Sequence, residues 1–414
     1  MIVALDVTGI AAGGDGVARH EGLVVFVPRT APGDRVRAEL RTKGRFAQGT
    51  LRELLAPSLA RVDPPCLHYE GDRCGGCQLQ HLSPAAQLAA KGGIVRDAVT
   101  RIGKRQVEAP VVRPSPAAWR YRNKLTLAMR RRGARWIAGL HPYDAPGRIF
   151  ALNDCPITRE DVMDVWRAVL EAGAWLPDER SLRGAVRADA DGASFMLEGG
   201  NAWPLADRFF AEMPRLTSLW WQPDGSPRRL LHARGIASVS PAFAQVNPAM
   251  ARELRSYVLD RIATRAPSSV VDAYAGEGDL AFALEQRGVA VTTIELDAEA
   301  VGRTRARLSP SARVIEGRVE DILGGVLPTD LVVLNPPRTG LHERIPAMLE
   351  KEMSAEPTSP TPHPLLIYIS CNPATLARDL ARMPSYRIAS LAAFDMFPQT
   401  AHVETVCELV PGGA

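Results

Sequence analysis

The stretch "VVDAYAGEGDLAFAL", Val270 to Leu284, decides the fold. It opens on an apolar run, passes through two closely spaced glycines, and closes on an apolar pattern of helical period. Such a sequence reads as a buried strand, a tight turn and a helix. Three more runs of the same texture follow it: "VAVTTIELD", "DLVVLNPP" and "LLIYISC". Helical patterns separate them. Strands that alternate with helices predict an α/β, doubly wound, largely parallel sheet, here a Rossmann-like domain over residues 237–414.

In open sheets of this kind ligands sit at the carboxyl ends of the strands. Gly276 and Gly278 in the first turn let backbone amides approach a ligand. The run is G-E-G-D, short of the G-x-G-x-x-G loop that a pyrophosphate needs. Glu295 closes the second strand, where a carboxylate can grip ribose hydroxyls. A nucleoside cofactor without phosphates fits this pair, with S-adenosylmethionine the leading candidate. Asn335 closes the third strand in "LNPPRTG" and projects near the same ligand, while two prolines stop the strand and stiffen the loop. The fourth strand delivers Cys371 straight into Asn-Pro. A thiol there is either inert packing or a nucleophile. Near the C-terminus "VETVCELV" alternates as an edge or outer strand does. Its pattern makes Glu404 a surface carboxylate and Cys407 a packing residue.

The 414 residues suffice for two or three domains, and a hydrophobic fraction of 46% suits globular cores. Residues 1–59 read as a small OB-like β-barrel, from "GLVVFVPRTAPGDRVRAEL" with its Pro-Gly-Asp turn and from glycines at 9, 13, 14, 16 and 22. Residues 60–236 read as a mixed α+β central domain. It contains a helix after Ser83, a candidate N-cap, with Pro84 as first helical residue. The stretch "SAEPTSPTPHP", Ser354 to Pro364, has the composition of a loop.

No apolar run reaches the length of a membrane span, and "MIVALDVTG" lacks the marks of a signal peptide, so a cytoplasmic location is expected. A net charge of +4 is too weak to identify a partner. Its distribution is more telling: nine Arg or Lys and one Asp lie between Arg113 and Arg148, interleaved with Trp119, Tyr121, Trp136 and Tyr143. Such a stretch can follow a phosphate backbone and stack unpaired bases, or it can be a solvated β surface. Six cysteines are too few for a disulfide framework, and three of them, Cys66, Cys74 and Cys77, fall within twelve residues. That crowding points to a metal site in a reducing compartment. His68 and His81 are further possible ligands, although solvent-facing histidine is the commoner case.

Together the segments "FAQVN" (Phe243 to Asn247), "DAYAGEGDL", "NPPRTG", "SCNPATLARDL" and "PQTAHVETV" resemble the RNA uracil-5-methyltransferase family in order and spacing. "CGGCQLQH" is similar to that family's iron-sulfur segment, and the first 59 residues resemble its RNA-binding TRAM domain. The resemblance implies Cys371 as nucleophile and Glu404 as the base that removes the proton from carbon 5. It implies Gln245, Tyr274 and Glu295, beside Asn335, as the residues that hold S-adenosylmethionine. Cys155 in "NDCP" would complete a set of four thiolates with Cys66, Cys74 and Cys77. Four thiolates suit zinc or an iron-sulfur cluster, and the resemblance favours a 4Fe-4S cluster with a structural role. Two positions depart from the family: Asn335 where Asp is usual, and Ala275 where Cys is common.

The mechanism that the resemblance implies needs a cysteine of lowered pKa, and the N-terminus of the helix after Cys371 offers one way to lower it. The expectation is therefore a monomeric methyltransferase acting on RNA, ribosomal RNA ahead of transfer RNA. The competing readings are a catalytically impaired RNA-binding assembly protein and a small-molecule methyltransferase.

Overall fold

The chain forms three β-sheets. The computed structural model describes residues 1–190, 192–235, 245–354 and 363–412. Phe243 of the "FAQVN" segment and residues 355–362 of the loop-like stretch lie outside the described residues.

The first sheet has six strands, in the order Ile2–Asp6, Arg35–Lys43, Phe46–Ala56, Leu23–Val27, Gly16–His20 and Gly9–Ile10. Alternate residues such as Leu5, Val25, Val27, Val36 and Ala38 form a core of its own. The Pro-Gly-Asp turn is anchored by buried Asp34, which accepts from the Ala31 and Ser58 amides at 2.6 and 2.9 Å and pairs with Arg61 at 2.8 Å. Arg29 leaves the sheet to donate to the carbonyls of Tyr69 and Cys74 in the cysteine segment.

The second sheet has seven strands, in the order Phe150–Ala151, Arg135–Leu140, Lys124–Arg132, Ser181–Asp189, Gly192–Glu198, Leu216–Gln222 and Arg229–Ala233. Helix Glu160–Glu171 covers one face through Val162, Val165, Trp166 and Val169. Tyr121 and Trp136 of the basic stretch lie inside this core. Their aromatic faces are therefore spent on packing, and Tyr143 stays exposed.

The third sheet carries the candidate site. Its strands are β1 (Val112–Arg113), β2 (Ser269–Ala273), β3 (Ala290–Glu295), β4 (Arg313–Glu316), β5 (Leu331–Leu334), β6 (Leu365–Ser370), β7 (Tyr386–Phe394) and β8 (Glu404–Pro411). Their order is β4-β3-β2-β5-β6-β8-β7-β1. From β4 to β6 all pairings are parallel, as the alternation of strands and helices predicts. Helix α1 (Pro84–Arg101) packs on α5 (Pro373–Ala381), and α2 (Pro248–Ala263), α3 (Asp279–Glu285) and α4 (Ala298–Arg307) complete the layers. Ser83 and Pro84 begin α1 as read from the sequence, the serine side chain accepting from Ala86 N–H.

One strand corrects the sequence reading. β8 is not an edge strand: it lies between β6 and β7, and all but the last of its residues are buried. The alternation misled because its polar members are themselves covered. Glu408 is bound by Arg261 of α2, by Arg265 just beyond that helix and by Ser390 of β7.

Candidate functional site

The carboxyl ends of β2, β5 and β6 converge as the apolar runs predict. β6 ends at Ser370, whose antiparallel partner is Thr405 near the start of β8. Cys371 follows the one and Glu404 precedes the other, so thiol and carboxylate leave adjacent strands at the same end. Cys371 is half-buried and free. Asn372 caps α5, its side chain accepting from Ala374 N–H at 3.1 Å, and Pro373 has no N–H to offer.

That cap bears on the thiol. The sequence suggested that the helix N-terminus lowers the Cys371 pKa. Instead burial pushes it up, the Glu404 charge pushes it further, and Arg338 opposes both. At the start of α5 the Ala374 N–H is taken by the Asn372 side chain, and Pro373 has none to offer.

Glu404 is the larger departure from its surface reading. It is 2% exposed, and burial lifts its pKa to about 8 against the opposing charge of Arg338. Its Oε2 is buried without a hydrogen-bond partner. A buried, unpartnered carboxylate carries a desolvation cost that packing alone does not explain.

Arg338 was missed as an individual residue, although it stands in the quoted "NPPRTG". Its signal was a charge four residues past a strand end. It is exposed, lies beside both Cys371 and Glu404, and is held through its own backbone: its carbonyl accepts from Asn372 Nδ2 at 3.2 Å and from Thr375 Oγ1 at 3.4 Å. The loop is pinned further by buried Asp379, which accepts from Leu341 N–H and from the Tyr368 hydroxyl, each at 2.8 Å. Gly340 is required there: it adopts φ +77°, and a Cβ would meet Arg378 and Asp379 at 2.5 and 2.6 Å.

Around the first turn, Tyr274 adopts a left-handed φ of +63°, uncommon for a residue with a side chain. The Glu295 carboxylate is oriented by three backbone amides, Gly276 at 2.9 Å, Leu296 at 2.7 Å and Asp297 at 2.8 Å. Gly276 adopts φ +57° with open space where a Cβ would stand. Asp272 lies fully buried behind the turn, its pKa lifted to about 7 by burial and by the Glu295 charge. Asn335 is half-buried, its backbone N–H bonded to the Ala273 carbonyl at 3.2 Å. Gln245 is half-buried and precedes Val246, whose carbonyl accepts from Asn123 N–H at 2.9 Å.

The four cysteines are brought together. Cys66, Cys74, Cys77 and Cys155 are buried, free, and line one cavity of about 530 Å³, which Val246 and Arg338 also line. Burial and the neighbouring thiols raise Cys74 to about 11 and Cys77 to about 12. Among the described residues no group of three or more His, Cys, Asp or Glu is placed to hold a metal ion. The histidines are otherwise engaged: His81 is buried between the Tyr69 hydroxyl and the Thr30 carbonyl, and His68 bonds Asp72 at 2.7 Å.

The cysteine segment is bonded to the segment that leads into Glu404. Leu79 N–H donates to the Gln399 carbonyl at 2.9 Å, and Ala401 N–H to Gln78 Oε1 at 3.3 Å. Gln399, at φ +70°, exchanges hydrogen bonds with Gln87 of α1 at 2.9 and 3.1 Å. Lys91 of α1, fully buried, pairs with Asp395 and donates to the Phe397 carbonyl at 3.0 Å.

Known proteins share this architecture. The sequence model of the tRNA (uracil-5-)-methyltransferase family matches residues 316–410, from the end of β4 through β8. An uncharacterized RNA methyltransferase of Protochlamydia amoebophila is 30% identical, over 98% of this chain and 96% of the relative. Another, from Thermosynechococcus vestitus, is 30% identical over 98% and 97%. The crystal structure of the Pyrococcus abyssi tRNA (uracil-54, C5)-methyltransferase in complex with S-adenosyl-L-homocysteine superposes with a TM-score of 0.73, at 23% identity, over 98% of this chain and 99% of that one. The fold and its strand-edge site define a methyltransferase of the α/β class. The chain belongs to the RNA uracil-5-methyltransferase family.

Proposed function

We propose that the protein methylates carbon 5 of a uridine in 23S ribosomal RNA through a transient bond between Cys371 and carbon 6, with S-adenosylmethionine as donor. The observation that carries this is the pairing of a half-buried thiol with a buried, unpartnered carboxylate at one end of adjacent strands, with Arg338 beside both. Carbon 5 of uracil is a poor nucleophile. Addition of the Cys371 thiolate to carbon 6 places the electron pair on carbon 5 as an enolate. The bound donor supplies an electrophilic methyl group. Glu404 then accepts the carbon 5 proton, the carbon–sulfur bond breaks, and the ring double bond returns. A uridine in folded RNA must leave its stack to reach this edge.

Gln245, Tyr274, Glu295 and Asn335 would hold the donor. The open space at Gly276 and the fixed Glu295 carboxylate suit an adenosine moiety without phosphates. Asn335 supplies an amide donor and acceptor in place of a charge. The four cysteines would hold a 4Fe-4S cluster of structural role, and four buried free thiols around one cavity fit that group. The N-terminal six-stranded sheet, residues 1–59, acts as a TRAM-like RNA-binding domain beside a central domain over 60–236. The basic 113–148 stretch contributes to the same surface. The protein works as a cytoplasmic monomer, and among the described residues no helix is long and apolar enough to cross a membrane.

The test is incubation with methyl-labelled S-adenosylmethionine and separate pools of unmethylated ribosomal and transfer RNA. Label in 5-methyluridine of the 23S RNA is expected. Label only in transfer RNA moves the substrate, and no label in either pool removes the proposed activity.

A further inference from the structure

The cavity bounded by the four cysteines has a second wall of opposite chemistry. Lys124 and Arg183 line it from the central sheet, Arg122 from the segment just before that sheet's Lys124 strand, and Arg338 from the loop after β5. Arg183 is paired with Glu198 at 2.8 Å. Arg122, Lys124 and Arg338 make no ion pair with any carboxylate among the described residues, and the buried Nε of Arg122 has no hydrogen-bond partner.

The strand register makes the arrangement costly. Lys124 lies directly opposite Arg187 in the antiparallel ladder between Lys124–Arg132 and Ser181–Asp189. Like charges placed opposite each other on rigid strands repel. The ammonium of Lys124 loses its proton more readily than usual, through burial first and then through Arg187, Arg183 and Arg228, with Glu198 opposing. Arg187 is itself paired with Asp189 at 3.4 Å, whereas the half-buried Arg122 and Lys124 have no ion pair of their own among the described residues, which leaves room for an anion from outside the chain.

Two anions compete for that place. Thiolates of the cysteine wall are one. The other is the substrate backbone. Arg338 stands at once on this cavity and beside Cys371 and Glu404. A chain whose base reaches Cys371 must carry its flanking phosphates past this wall.

We propose that Arg122, Lys124 and Arg338 form a binding site for the RNA phosphodiester adjacent to the target uridine. The proposal rests on the reading of the substrate as RNA. It gives the cysteine cavity a second role, as one side of the groove through which the strand passes.

The test uses the full chain carrying its own iron, with Lys124→Gln and Arg122→Gln as variants. Binding to ribosomal and transfer RNA transcripts is measured over a range of salt, using whichever RNA the native protein methylates. Each variant should lower the slope of log K against log salt by about 0.7, the value for one lost phosphate contact on a single strand, and weaken binding several-fold at physiological salt, with iron content unchanged. An unchanged slope overturns the site. A fall in iron content in either variant also overturns it, because the cations would then serve the cysteines. If the native protein binds neither RNA, the failure lies instead with the RNA reading itself.

Discussion

Glu404 and Cys371 flank the last pair of one ladder: Ser370 faces Thr405, the thiol follows the first and the carboxylate precedes the second. Thr405 Oγ1 closes that pair by donating to the Ser370 carbonyl at 3.0 Å. Two groups on a rigid sheet end keep their relation without help from loops. The division of labour follows from their surroundings. Cys371 is reachable, while Glu404 is buried with one oxygen unpartnered.

Replacing Glu404 by Gln should therefore stop the reaction after methyl transfer. The ring would stay bonded to Cys371 because nothing removes the carbon 5 proton. Turnover should fall by about 10²–10⁴, the usual worth of a positioned base, while a methylated protein–RNA adduct accumulates on denaturing gels. Loss of turnover without any adduct would assign Glu404 to an earlier step.

The same carboxylate sets a pH dependence of stability. Its pKa is raised to about 8 in the folded protein, from an ordinary value of 4.5. The native state therefore holds a proton that the unfolded chain releases across that window. Glu404 favours the fold below about pH 4.5 and loses that contribution as pH rises through about 8. The Glu404→Gln variant should melt higher than the native protein near pH 8 and at the same temperature near pH 4. Equal melting temperatures at both pH values would show that the carboxylate is not buried as described.

Catalysis should run with the opposite sign. Both Cys371 and Glu404 act without their protons, and both hold them more tightly than usual. The rate at which 5-methyluridine is released in a single turnover should climb with pH through about 8, where Glu404 loses its proton. A rate that is flat between pH 6 and 9 would contradict these environments.

Lys91 offers a test of the scaffold. It is fully buried, and its partner Asp395 is nearly so. Lys91→Met leaves that carboxylate uncompensated and should cost about 3–5 kcal/mol of stability. The double variant Lys91→Met, Asp395→Leu should recover most of the loss. No recovery would indicate that Lys91 acts mainly through its bond to the Phe397 carbonyl.

The strand ends were legible in the sequence because each was a short apolar run stopped by Gly, Pro or Asn. Ser370 closes its strand where the pattern placed it, and Leu334 closes its own one residue before Asn335. The gathering of Cys66, Cys74 and Cys77 with Cys155 was legible only through family likeness, since nearly eighty residues separate Cys77 from Cys155. Three features were not legible. Arg338 meets Cys371 and Glu404 across three different strand ends. β8 reads as an edge strand because arginines in and just beyond a distant helix cover its Glu408. The bonds from Gln78 and Leu79 to Ala401 and Gln399 span more than three hundred residues, and no local periodicity encodes them.

Those bonds predict a consequence of metal loss. If the cysteines hold a cluster, its removal by oxidant and chelator should loosen residues 398–401 as well as residues 74–81. Hydrogen exchange at the Leu79 and Ala401 amides should accelerate together. Acceleration at Leu79 alone would mean that the two segments are not mechanically joined.

The central claim concerns one sulfur atom. RNA carrying 5-fluorouridine has no proton at carbon 5 for Glu404 to remove, so methylation should leave the ring fixed to Cys371. Incubated with S-adenosylmethionine, the native protein should yield an RNA–protein adduct that survives denaturation and maps to the peptide containing Cys371, with none from Cys371→Ala. A methylation-competent native protein that never forms this adduct would contradict the account.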